Sequence, residues 1–103
     1  MLAVILDYQE VAMPYAFIAH VQFADDDLDA SRRMLNEGLI PAAKALPGFQ
    51  SGVWTRSGRK GIGAIVFDTE ENANTGQAQL QDARPADAPT ITESGIYEVM
   101  GQA

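Results

Sequence analysis

The chain has 103 residues, with 14 acidic against 7 basic side chains, one histidine and no cysteine. A net charge of −7 repels phosphate backbones and anionic membranes at long range, which sets nucleic acid aside as a partner. Without thiols there is no disulfide, zinc–thiolate site or thiol nucleophile, and the length fits one domain near the size at which self-association usefully hides apolar surface.

The apolar run Leu2 to Leu6 is cut short by Asp7 and has no basic residue before it, so it neither spans a bilayer nor reads as a secretory signal. A cytoplasmic protein is expected, with residues 1–13 an extension, either disordered or added as an edge strand, before a domain over 14–103. Tyr15 to Phe23 (YAFIAHVQF) alternates with period two and predicts a strand. Asp25, Asp26 and Asp27 then cap a helix whose apolar stripe is Leu28, Leu35, Leu39, Ala42 and Leu46. Pro41 removes a backbone donor and predicts a bend near Glu37 and Gly38, whereas Pro47 and Gly48 end the helix. Phe49 to Arg56 and Gly61 to Asp68 form a hairpin through the Ser57–Gly58 turn signal. Thr69 to Ala83 reads as a second helix capped by Thr69, Arg84 to Thr90 as a loop, and Thr92 to Met100 as the last strand, strongest from Gly95.

This order predicts an α+β, ferredoxin-like βαββαβ fold, an antiparallel sheet with two helices on one face. If the even-numbered residues of the first two strands turn the same way, His20 and Gln22 lie beside Gln50, Trp54 and Arg56, leaving Phe17, Ala19, Val21, Phe49 and Val53 to meet the helices. The uncovered face, carrying Ile18 and Trp54, then calls for a second sheet, and a two-fold homodimer is the simplest cover.

The strand YAFIAHVQF, the helix end GLIPAAKALPGF, the hairpin QSGVWTRSGRKGIGAIVFDTEE and the closing YEVM, together about residues 14 to 101, resemble the antibiotic biosynthesis monooxygenase-like superfamily of dimeric α/β barrels. The resemblance implies a homodimeric barrel with a pocket between sheet and helices in each subunit. Some members oxygenate phenolic or anthrone substrates with molecular oxygen and no bound metal or flavin, others degrade heme, and many have no assigned activity. Heme-degrading members rely on an Asn, Trp and His constellation, whereas the first strand here has no Asn and the single histidine, His20, sits on it.

Cofactor-free oxygenation needs an ionisable substrate, a base or hydrogen-bond donor, and a dry cavity. His20 is the one side chain whose ordinary titration range lies near neutrality, so it is either the catalytic base or a packed, interfacial histidine. Trp54 either stacks on a flat aromatic ligand or anchors core or dimer contacts. Tyr15 and Tyr97, placed on inner strands by the expected topology, either donate hydrogen bonds to a substrate oxygen or pack, and Gln22 and Arg56 complete the candidate substrate-binding set. Arg59 and Lys60 belong to a solvated hairpin tip, and GRKGIG lacks the spacing and following helix of a phosphate loop. Metal, nicotinamide and flavin spacings are missing, so no cofactor is expected. The alternative to an oxygenase is a noncatalytic dimeric ligand-binding or stress-response barrel.

Overall fold

The computed structural model describes residues 13–103, so the extension expected over 1–13 lies, apart from Met13, outside the described residues. Strand β1 (Tyr15–Gln22) leads into α1 (Leu28–Met34), a π-helical turn (Leu35–Leu39) and α2 (Ile40–Lys44). The hairpin β2 (Phe49–Ser57) and β3 (Lys60–Phe67), helix α3 (Glu70–Asp82) and β4 (Thr90–Glu98) follow. This is the expected ferredoxin-like order. No described helix is long and apolar enough to cross a membrane.

The local signals act as the sequence implies. The Asp27 carboxylate accepts from the Ala30 N–H at 2.9 Å, and the Thr69 hydroxyl accepts from the Asn72 N–H at 3.0 Å, each satisfying one free donor of a first turn. At Pro41 the helix neither stops nor continues regularly. The proline ring crowds the carbonyl of the preceding turn, and that turn widens, so that the Ile40 N–H reaches back five residues to the Leu35 carbonyl before α2 resumes. Gly48, at φ 77°, then swings the chain into β2. At the hairpin tip Gly58 has φ 61°, the first loop position where a type II′ turn places its glycine.

The strands run in the order β2-β3-β1-β4, every neighbouring pair antiparallel. β1 and β3 are therefore central, and β4 is an edge paired to β1 alone, so Tyr97 stands on an edge strand and not on an inner one. Phe17, Ile65 and Phe67 project from the central strands to meet Ala43 of α2 and Ala73 of α3, which forms the buried core.

The expected faces need one correction, and its cause is a β-bulge. Phe49 pairs with Phe67 but Ser51 pairs with Val66, leaving Gln50 as an extra residue in β2. Since the side-chain period is two, one inserted residue reverses every side chain beyond it. Phe49 stays on the helix face beside Tyr15, while Gly52, Trp54 and Arg56 now share that face with Phe17, Ala19 and Val21 through the rows Gly52–Ile65–Phe17 and Trp54–Gly63–Ala19. Val53 moves to the open face with Ile18, His20 and Tyr97. The single chain's sheet is open, not a closed barrel.

Candidate ligand cavity

The core fills only one end of the space between sheet and helices. At the Ile40–Lys44 end Ala43 is fully buried, but towards the start of α1 the helix stands off the sheet and Leu28 is 47% exposed. Between them lies an open cavity of about 530 Å³, within the range that holds small organic ligands. Its floor comes from Phe17, Ala19 and Val21 of β1 and Trp54 of β2, one wall from Leu35 and its neighbours on the first helix, and the other from the end of α3 and the Arg84–Pro89 loop. Among the described residues no Asp, Glu, His, Lys or Tyr lines it, although the chain carries twice as many acids as bases.

The bulge at Gln50 brings Trp54 into this floor. The half-buried indole packs at the margin of the core, and its two ends lie over Gly52 and Gly63. Arg56 sits at the rim. Its guanidinium lies 3.8 Å from the centre of the Phe23 ring, its Nε donates to the Gly58 carbonyl at 2.8 Å, and its terminal nitrogens donate to the Ser31 hydroxyl and the Asp25 carbonyl. Arg56 thereby ties the hairpin to the β1–α1 loop and holds the mouth in shape. At the tip itself, Arg59 pairs with Asp26 at 3.3 Å in solvent.

The other sequence candidates do not converge on the cavity. His20 lies on the open face, opposite Glu93 and Ile62 in register, with Gln22 two residues further along the same face. Tyr97 shares that face, 47% exposed. Tyr15 is on the helix side but at the far, filled end, packed against the core. Of the six candidates, the structure therefore brings Trp54 and Arg56 together at the cavity and separates His20, Gln22, Tyr97 and Tyr15 from it. Sequence reasoning missed Phe23 and the paired glycines under Trp54, for which the signal was glycine recurring inside otherwise strong strands.

Tyr15 has its own electrostatic signature. The Glu70 carboxylate, followed by partial burial and then Glu98, disfavours the phenolate and raises its pKa above the ordinary 10.0. Below pH 10 the phenol is neutral in both states, and above it the unfolded chain loses the proton first, so stability falls as pH rises through the folded value. Tyr15→Phe is expected to lose less stability than the parent between about pH 9 and 11, measured as the urea midpoint; identical losses would contradict this.

The architecture is a ferredoxin-like sheet with two helices over a largely apolar hollow. The same fold is found in solved structures of low sequence identity. A protein of Chloroflexus aurantiacus J-10-fl, provisionally assigned as an antibiotic biosynthesis monooxygenase, superposes with a TM-score of 0.63 over 87% of this chain and 96% of its own, at 19% identity. MupZ from Pseudomonas fluorescens superposes with a TM-score of 0.64 over 82% of this chain and 67% of its own, at 13% identity. At these identities the likeness is one of fold. No protein-family model and no curated protein matches the chain.

Proposed function

We propose that the chain is a monooxygenase-like pocket protein that binds a planar, largely apolar aromatic or polyketide-type small molecule between its sheet and helices. The observation that carries this reading is the cavity itself, of about 530 Å³ with apolar walls and the lone tryptophan in its floor. Binding is the activity the lining supports most directly, because among the described residues it holds no carboxylate, histidine, lysine or tyrosine to act as a base. His20 belongs, in this reading, to packing on the open face and not to the chemistry of the cavity.

The test is a titration of Trp54 emission with 2-naphthol, anthrone and a naphthoquinone. Saturable quenching supports the proposal, and emission unchanged by every probe overturns it. Cofactor-independent oxygenation is the second reading, favoured by the largely apolar lining and by the monooxygenase-like fold. In such a reaction an anthrone methylene becomes a carbonyl, one atom of O₂ entering the product and the other leaving as water, with the substrate supplying all the electrons. Oxygen uptake with anthrone, above the rate without protein, distinguishes this from binding alone.

The working unit in this proposal is a homodimer. Val53, Ile62 and Tyr97 are 57%, 45% and 47% exposed on one face of the sheet, a concentration of apolar surface that a second copy would cover and so complete the barrel. Light scattering is expected to give the mass of two chains, and the double variant Val53→Asp/Ile62→Asp that of one. A monomeric parent protein would remove the dimer from the proposal.

A further inference from the structure

We infer that Gly52 and Gly63 are positioning residues that press Trp54 flat against the sheet and so give the cavity its selectivity for planar ring systems. The inference rests on the cavity being a ligand site and deepens that reading.

Three observations carry it. Trp54 and Gly63 are direct cross-strand partners, and Gly52 precedes Trp54 by two residues on the same face, so the indole has a residue without a side chain both beside it and behind it. A Cβ at Gly63 would stand 2.9 Å from Cδ1 of Trp54, and a Cβ at Gly52 would stand 2.6 Å from Cη2 and 2.9 Å from Cζ3. All are closer than carbon atoms pack without displacement. The pyrrole edge of the ring therefore rests over one glycine and the benzo edge over the other. A bicyclic ring held down at both ends lies along the sheet, with its free π-face turned to the cavity.

Glycine within a strand loses backbone entropy and contributes no packing, so two such residues around one tryptophan are a local cost that the flat ring explains. The π-face dictates the ligand shape. Only a planar ring system can approach such a floor over its whole area, whereas a puckered, saturated ring meets it through a few hydrogens and loses the stacking contribution. Adding a methyl group at either glycine would tilt the indole into the cavity, which both narrows the space and removes the flat floor.

The test compares 2-naphthol with its ring-saturated counterpart, decahydro-2-naphthol, by isothermal titration calorimetry on the full chain. The parent protein is expected to prefer 2-naphthol by about ten-fold, the equivalent of one good aromatic contact. In Gly63→Ala the preference is expected to fall to within about three-fold, with a shifted Trp54 emission maximum. Because Gly63 is in a central strand, Gly52→Ala in the edge strand β2 asks the same question where the sheet tolerates change better. A parent protein that binds both compounds equally, or alanine variants that fold and keep the full preference, overturn the inference while leaving the cavity reading intact. A parent protein that binds neither compound overturns the cavity reading, and the inference with it.

Discussion

Phe67→Ala is expected to destabilise the fold by about 3–5 kcal/mol, a large share of the stability of a domain of this size. Phe67 is the largest side chain that is fully buried among the described residues, and the rest of the buried core is Ala16, Phe17, Ala43, Ile65 and Ala73. With three of those five being alanine, removal of one benzyl group takes away much of the apolar volume that fixes the helices to the sheet. Nor can the site collapse easily. Gly76 of α3 already abuts the ring so closely that a Cβ there would lie 2.4 Å from Cζ, so the helix backbone has been drawn in as far as Phe67 allows. Far-UV circular dichroism in urea measures the change, and a loss below about 1 kcal/mol would show that the cluster is not the stabilising centre.

Trp54→Ala is expected to do the reverse, leaving the fold and removing the ligand. The indole is half-buried in the floor of an open cavity, so its loss enlarges an existing space and does not hollow out a packed one. Binding should suffer more, by about 1.4–2.8 kcal/mol, a ten- to hundred-fold weaker affinity for 2-naphthol. Calorimetry is the appropriate measurement, since the variant has no tryptophan to observe. Unchanged affinity, with the thermal midpoint lowered as far as in Phe67→Ala, would return Trp54 to a packing role.

How far the sequence could be read follows from which physics is local. Asp27, Thr69, Pro41, Gly48 and Gly58 act within a turn of themselves, so caps, bend and hairpin are visible in the chain, and the order of elements with them. The bulge at Gln50 is different. Nothing in FQSGVWTR marks which residue will be left without a partner, because that is decided by β3, whose Phe67 and Val66 pair with Phe49 and Ser51. That one unpaired residue moved Trp54 and Arg56 to the helix face and parted them from His20. The hollow was equally hidden: Leu28, Leu35, Leu39 and Ala42 are spaced as any core-facing stripe is spaced, and the pattern is the same whether the facing space is full or empty. The glycines under Trp54 had a legible oddity, being glycine inside strands, but their purpose needed the register that sets Gly63 beside Trp54.

The separation of filled core from open cavity along one sheet has an evolutionary consequence. Ala43, Phe67 and Ala73 of the buried cluster take no part in lining the cavity, which Leu35, Trp54 and the Arg84–Pro89 loop shape. Phe17 and Ile65 border both. Substitutions in the cavity walls away from Phe17 and Ile65 therefore draw little on a small reserve of stability, so under the proposed reading ligand preference can change without the chain first becoming more robust. A scaffold divided in this way is free to drift between ligands.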